Sequence, residues 1–98
     1  VLRSAKQLLR DVGWIQGEFS RLEPDKTGFY RAVGYCAVGA LRAIDGPHLD
    51  KAACRLEATL PDVWSVVAYN DDTGRTKREV LRLFDRAIAR RMPPKARS

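Results

Sequence analysis

The chain has 98 residues, of which 45% are hydrophobic and 31% charged, a composition typical of a folded globular domain rather than a disordered segment. No apolar run approaches the length of a membrane span and no charged-then-apolar leader opens the sequence, so we expect a cytoplasmic protein with no membrane partner. Two cysteines and one histidine are too few for a tetrahedral zinc site, and we expect two reduced thiols.

The first predicted element is a helix that begins at about Leu2. Its apolar residues recur at helical spacing and fall on one arc of roughly 140° at about 100° per residue; they are Ala5, Leu8, Leu9, Val12, Ile15 and Phe19. Gly13 and Gly17 weaken its second half and favour a break near Trp14. Residues 20–28 collect Pro, Asp, Thr and Gly and are predicted to form a loop.

The second predicted helix runs from about Phe29 to Ile44. Its only charged residues are Arg31 and Arg42, so we predict that it is the buried central helix around which the others pack. A stripe of small residues along it allows a neighbouring backbone to approach closely. This stripe consists of Ala32, Cys36, Gly39, Ala40 and Ala43.

A third helix is predicted from about Pro47 to Leu60, after a glycine suited to end a helix. Its predicted buried face consists of Leu49, Ala52, Ala53, Leu56 and Leu60. Residues 61–75 are predicted to be irregular. Their β-branched and aromatic residues favour either a strand-like segment near 63–70 or a buried linker, and Asn70 to Gly74 form a cluster of turn residues.

The fourth predicted helix opens with Thr76-x-x-Glu79, which matches a capping box, and ends before Pro93-Pro94. Its predicted buried residues are Val80, Leu81, Leu83, Phe84, Ala87 and Ile88. The predicted fold is therefore mainly α, a compact single-domain bundle of four to five helices over residues 1–92. Residues 93–98 are predicted to form a disordered basic tail.

Charge is distributed unevenly along the chain. Residues 1–74 carry 9 basic and 10 acidic side chains, whereas residues 75–98 carry 9 basic and 2 acidic. In the last helix, arginines recur every four residues opposite the apolar face, about 6 Å apart along the axis, and their field is increased by Arg75, Lys77, Arg91, Lys95 and Arg97. The recurring arginines are Arg78, Arg82, Arg86 and Arg90.

This arginine stripe predicts a non-enzymatic binding module that engages an acidic partner. The spacing is close to that of phosphates along a nucleic acid strand, and arginine also binds carboxylates, so the partner is a protein surface or a nucleic acid backbone. The alternative is a solvated helix face in which Glu79 and Asp85 form local pairs with Arg82.

Two further interpretations come from other classes of function. In a thiol-dependent enzyme, Cys36, His48 and Asn70 would be nucleophile, base and orienting group. Against it, Cys36 falls on the small-residue stripe, where a thiol packs as a small hydrophobe, so we expect no catalytic residue. A structural, oligomer-forming protein would place Trp14 and Trp64 at a self-interface.

Clustered oxygen ligands offer a weak signal for a metal. Asn70-Asp71-Asp72 with Glu79 could hold a hard cation, but the spacing does not match an EF-hand loop, and such residues are typical of a turn before a helix. The sequence also lacks a Gly-rich phosphate loop and a nucleophile-elbow serine. We therefore predict no metal site and no cofactor.

Three short motifs occur along the chain, namely Gly13-Trp14-x-x-Gly17, Tyr35-Cys36-x-x-Gly39-Ala40-Leu41 and Tyr69-Asn70-Asp71-x-x-Gly74-Arg75-Thr76-x-x-Glu79-Val80. Together they resemble a family of small proteins of actinobacteria and their phages, in which Trp is common at the position of Tyr69. The family carries a domain of unknown function, so the resemblance implies a source and a fold but no activity. Physically, these positions indicate close packing, a turn and a helix cap rather than an active site.

Overall fold

The computed structural model describes residues 1–61 and 65–90. These residues form five α-helices and one two-stranded antiparallel sheet, with a short 3-10 helix at Gly46–His48. The elements are α1 (Leu2–Asp11), β1 (Ser20–Pro24), β2 (Tyr30–Tyr35), α2 (Ala37–Asp45), α3 (Asp50–Glu57), α4 (Val66–Asp71) and α5 (Lys77–Ala89). The mainly helical prediction is confirmed, whereas the predicted tail at 93–98 and Trp64 lie outside the described residues.

The hydrophobic core lies between the helices, with α1 packed on both α2 and α5. Its largest fully buried apolar side chains are Phe84, Leu9, Leu41, Leu56, Leu83, Val66 and Val80. Burying each of these stabilises the fold by about 1.5–3 kcal/mol. The core confirms the apolar faces predicted for the last helix and for the beginning of the first.

The predicted helix from Phe29 to Ile44 is wrong in its first half. Residues Tyr30–Tyr35 form β2, which pairs antiparallel with β1 in a stretch that was predicted to be a loop. Phe29 and Tyr30 are 75% and 71% exposed, so this half is not a buried axis. An apolar segment of this length suits a strand as well as a helix, and pairing with β1 decided between them.

Asp25 builds the turn that makes this pairing possible. Its Oδ1 accepts hydrogen bonds from the backbone N–H of Thr27 at 2.8 Å, the Thr27 hydroxyl at 2.5 Å and the backbone N–H of Phe29 at 3.1 Å. These bonds, led by the one from the Thr27 side chain, lower the pKa of Asp25. Gly28 completes the reversal with a φ of 86°. The turn part of the predicted loop is therefore confirmed.

The second half of the predicted helix, α2, does lie in the core. Ala37, Gly39, Ala40 and Leu41 are buried, and the base of the hairpin crosses the helix at Gly39. A Cβ atom added to Gly39 would lie 1.7 Å from the carbonyl oxygen of Phe19. The close backbone approach predicted for the small-residue stripe is therefore confirmed at this position.

Two other predicted helices are shorter in the structure. The helix α1 ends at Asp11, so Ile15 and Phe19 lie beyond it, and α3 covers only Asp50–Glu57 of the predicted 47–60. The helical spacing of Ile15 and Phe19 therefore did not indicate a helix there. Their stretch is held instead by backbone bonds to β2 and to Cys36, the N-cap of α2, including Ile15 N–H to Tyr35 O at 3.0 Å.

The strand-like segment predicted near 63–70 is wrong wherever the structure describes it. Residues Val66–Asp71 form α4, and Ser65 caps the helix by accepting a hydrogen bond from the N–H of Ala68 at 3.1 Å. Residues 63 and 64 lie outside the described residues. Strand propensity was overridden because a serine cap and the burial of Val66 and Asn70 favour one helical turn and a half.

The predicted capping box is confirmed at the start of α5. The Thr76 hydroxyl accepts a bond from the N–H of Glu79 at 3.2 Å, and the Glu79 carboxylate accepts one from the N–H of Thr76 at 2.9 Å. The bond from the Thr76 backbone is the main cause that lowers the pKa of Glu79. Among the described helices, none has the length and apolar character needed to cross a bilayer.

We expect Gly39→Ala to lower the free energy of unfolding by about 3 kcal/mol, because the new Cβ would displace the backbone of Phe19 from α2. Gly28→Ala is the comparison, since that glycine has a positive φ but no neighbour within 4 Å and should lose only about 1 kcal/mol. Urea unfolding of both variants measures the difference. Equal losses would contradict the proposed contact.

Candidate functional site

The three sequence motifs meet at one buried side chain, that of Asn70. Its Oδ1 accepts hydrogen bonds from the indole Nε1 of Trp14 at 2.7 Å and from the backbone N–H of Ala37 at 2.9 Å. Its Nδ2 donates to the carbonyl oxygen of Ile15 at 3.1 Å and to the carboxylate of Asp71 at 2.8 Å. The amide therefore uses all four of its hydrogen-bonding positions and has none left for catalysis.

The loop at residues 13–17 is held against the end of α4 by further bonds. Gln16 donates through its side-chain nitrogen to the carbonyl oxygens of Asn70 at 3.0 Å and Asp72 at 2.9 Å. The N–H of Gly17 donates to the carboxylate of Asp71 at 3.0 Å. Asn70 and Asp71 were predicted to shape a local turn, but they end a helix and bind a loop more than 50 residues away.

Arg75 was predicted to be part of the binding surface, and the structure uses it differently. Its Nε donates to the carbonyl oxygen of Tyr69 at 2.8 Å, and its guanidinium lies 3.7 Å from the centroid of the Tyr69 ring. A second nitrogen donates to Glu79 at 3.2 Å. The side chain is only 14% exposed. Arg75 therefore joins the end of α4 to the first turn of α5.

The trio of Cys36, His48 and Asn70, considered as the alternative of a thiol-dependent enzyme, does not assemble. Cys36 is the N-cap of α2, where its sulfur accepts a bond from the N–H of Gly39 at 3.3 Å, and burial raises the pKa of its thiol. His48 is exposed and follows the opposite end of this nine-residue helix, about 13 Å away at a rise of 1.5 Å per residue. A base at that distance cannot activate the thiol.

The carboxylates considered for a cation are engaged with the protein. Asp71 accepts bonds from Gly17 and Asn70, Asp72 pairs with Arg75 at 3.4 Å, and Glu79 caps α5. Within residues 1–61 and 65–90, no group of three or more His, Cys, Asp or Glu side chains is placed to hold a metal ion.

Basic side chains converge in a groove between α1 and α5. The two helices run antiparallel, since Lys77 at the start of α5 donates to the carbonyl oxygen of Arg10 at 3.2 Å, while Lys6 pairs with Asp85 at 2.5 Å. The residues that line the groove are Lys6, Arg10, Lys77, Arg78, Leu81, Arg82 and Asp85. Five of these seven are cationic, and one is acidic.

The predicted arginine stripe is exposed but does not act as one row. A four-residue interval advances about 40° around a helix, so the stripe turns by about 120° between Arg78 and Arg90. Arg78 and Arg82 therefore line the groove, and Arg86 is exposed beside it. Arg90 lies at the other side of α5, where its guanidinium donates to the carbonyl oxygen of Ala58 after α3.

Two members of the groove, Lys6 and Arg10, were not predicted. A signal for them exists in the sequence, since they are four residues apart on the polar face of a predicted helix. They were overlooked because the net charge of residues 1–74 is close to zero, which drew no attention to individual basic residues there. Only the packing of α1 against α5 shows that these cations join those of the last helix.

The chain was compared with known protein families, and the match covers all the residues described above. A protein-family model matches residues 1–90. The chain belongs to DUF6197, a family of unknown function. The DUF6197 region contains every described element, the Asn70 hydrogen bonds and the groove between α1 and α5. No curated protein and no solved structure matches the chain.

We expect Asn70→Asp to reduce the free energy of unfolding by about 3 kcal/mol at neutral pH, because a carboxylate oxygen would replace the nitrogen that donates to Ile15 and Asp71. Burial and the adjacent carboxylate would raise the pKa of the new carboxyl above its unfolded value. The loss should therefore shrink as pH falls through that raised pKa. Denaturant unfolding from pH 7 to pH 4, referred to the parent protein, measures it. A loss independent of pH would contradict this account.

We expect the two thiols to react at different rates, because Cys36 is buried with a raised pKa whereas Cys54 is exposed. With Cys54→Ser, iodoacetamide should label Cys36 at least about tenfold more slowly than it labels Cys54 in the Cys36→Ser variant. Both rates should become equal in denaturant. Fast labelling of Cys36 in the folded protein near pH 7 would restore the thiol-enzyme hypothesis.

Proposed function

We propose that the protein is a non-enzymatic binding module whose groove between α1 and α5 engages an acidic partner, a protein segment or a nucleic acid backbone. The observation that carries this proposal is the convergence of five cations from two helices on one groove that contains a single carboxylate. Neither helix alone would present this density of positive charge.

Part of this charge is used within the fold, and part is available. Lys6 pairs with Asp85, and Lys77 donates to the carbonyl end of α1. Arg10, Arg78 and Arg82 are exposed, and within the described part of the chain their guanidiniums have no hydrogen-bond or ion-pair partner. Like charges held together disfavour the folded state, and a bound anion relieves that repulsion.

The groove favours recognition of charge and shape rather than of bases. Guanidinium groups bind carboxylates and phosphates through two parallel hydrogen bonds, which suits Arg10, Arg78 and Arg82. No aromatic side chain lines the groove among the described residues, so stacking of unpaired bases has no platform there. Arg86 extends the positive surface, whereas the contacts of Arg75 remove it from the proposed site.

Other elements of the sequence-based interpretation stay predictions. The resemblance to actinobacterial and phage proteins supports such an origin, and a cytoplasmic location remains an expectation. Self-association through the tryptophans has less support, because Trp14 is half-buried and its indole nitrogen is bonded to Asn70.

We expect the protein to bind polyanions with strong salt dependence. Fluorescence titrations with duplex DNA, single-stranded RNA and a poly-glutamate peptide from 25 to 300 mM salt would measure it. For duplex DNA, each phosphate contact should contribute a slope of about −0.9 in log K against log salt concentration. The double variant Arg78→Gln/Arg82→Gln should bind at least about tenfold more weakly at low salt and with a shallower slope.

A matched control removes two positive charges elsewhere. Arg31→Gln/Lys51→Gln changes one residue on the hairpin and one on α3, both exposed and outside the groove. It should retain most of the affinity, since the groove is intact. Equal losses in both double variants, or no binding of any polyanion at 25 mM salt, would overturn the proposal.

A further inference from the structure

The hairpin has one edge that nothing in the described structure covers. All five residues of β1 are exposed, and its neighbour within the sheet is β2 alone. The opposite edge of the hairpin differs, because Tyr35 at the end of β2 exchanges backbone bonds with Gly13 and Ile15 at 3.0 Å each. The outer edge of β1 is therefore open along all five residues, whereas that of β2 is occupied at Tyr35, and exposed edges pair readily with other strands.

The backbone hydrogen bonds at the two ends of β1 show which of its residues direct their N–H and C=O groups toward β2. The carbonyl oxygen of Phe19 accepts from Cys36, and the N–H of Asp25 donates to Phe29, so both residues face β2. Since facing alternates along a strand, Arg21 and Glu23 also face β2, and Ser20, Leu22 and Pro24 face outward. Pro24 has no backbone N–H. Because its position faces outward, the hydrogen bonds between β1 and β2 do not lack a donor there.

We propose that this edge is a self-association surface, on which β1 of a second copy of the chain pairs antiparallel about a twofold axis at Leu22. Such pairing joins the two hairpins into a four-stranded sheet. The Leu22 residues exchange two backbone hydrogen bonds, and each Ser20 N–H donates to the carbonyl oxygen of the other copy's Pro24. Of the outward groups, the carbonyl oxygen of Ser20 is left to water.

Charge complementarity is what selects a second copy as the occupant. In this register Arg21 of each copy, which within its own chain contacts Glu18 at 3.2 Å, lies opposite Glu23 of the other, so the pairing adds two symmetric ion pairs. Moving the twofold axis by one residue, to Arg21 or to Glu23, shifts the register by two residues and would place like charges opposite each other. The edge is thus complementary to itself, which a strand of uniform charge would not be.

The apolar face of the hairpin supports the same arrangement. Leu22 pairs across the hairpin with Ala32, and Pro24 pairs with Tyr30, so these four residues share one face of the sheet. Leu22 is 58% exposed and Tyr30 is 71% exposed. A twofold axis perpendicular to the sheet keeps equivalent faces on the same side, which brings the two Leu22 side chains into contact.

The interface is independent of the groove between α1 and α5 and is small. Five residues from each copy bury less than the about 800 Å² per partner of a standard complex, so the dimer should be weak. Sedimentation equilibrium of the full chain from about 10 μM to about 1 mM covers the range that such an interface requires. We expect the average mass to rise from one chain toward two.

Charge exchange provides the decisive test. Arg21→Glu and Glu23→Arg should each weaken self-association at least about tenfold, because each places like charges across the interface. The double variant Arg21→Glu/Glu23→Arg should dimerise again. A mixture of the two single variants should form a heterodimer, since one copy then carries two acidic residues and the other two basic ones.

Folding effects are separated from association by the choice of variants. Glu23 lies opposite Arg31 within the hairpin and Arg21 pairs with Glu18 at 3.2 Å, so each single reversal also adds a local repulsion inside one copy. The mixture of the two single variants separates the effects, because the local repulsions persist there whereas the charges across the interface are again opposite. Lys51→Glu on α3 is the control and should dimerise like the parent. A parent protein that stays monomeric at 1 mM, or single reversals that leave its dimerisation unchanged, would overturn the proposal.

Discussion

The buried amide of Asn70 is the interaction on which the rest of the structure depends. It joins the loop after α1, the first residue of α2 and the end of α4 through four hydrogen bonds. Leaving one such buried group without a partner costs about 1–3 kcal/mol, so the three segments cannot separate individually. Their relative positions in turn set the base of the hairpin over Gly39 and the position of α1 beside α5.

This arrangement explains why the sequence motifs do not identify an active site. Trp14, Asn70 and Asp71 take part in the hydrogen bonds between the loop after α1 and the end of α4. Cys36 and Thr76 cap α2 and α5, and Arg75 joins α4 to α5. In this chain these residues therefore hold the fold together. The surfaces that remain open to a partner, the basic groove and the outer edge of β1, are built largely from residues outside the motifs.

The two surfaces differ in their physical character and can work together. The groove presents uncompensated positive charge, which suits an acidic partner, whereas the β1 edge is neutral and complementary to itself. A dimer through the hairpins would hold two grooves in one particle. On a long polyanion, the second groove would then bind at a high effective concentration, which raises the overall affinity without any new contact.

The sequence by itself determined the features that depend on near neighbours along the chain. Helical periodicity indicated α1 and α5, Thr76 and Glu79 indicated the cap, and Gly39 indicated a close backbone approach. Only the tertiary structure decided that Tyr30–Tyr35 is a strand, that Asn70 is buried, and that Lys6 and Arg10 join Arg78 and Arg82. These features depend on contacts between distant segments, such as Trp14 with Asn70, 56 residues apart, and local patterns carry no information about such partners.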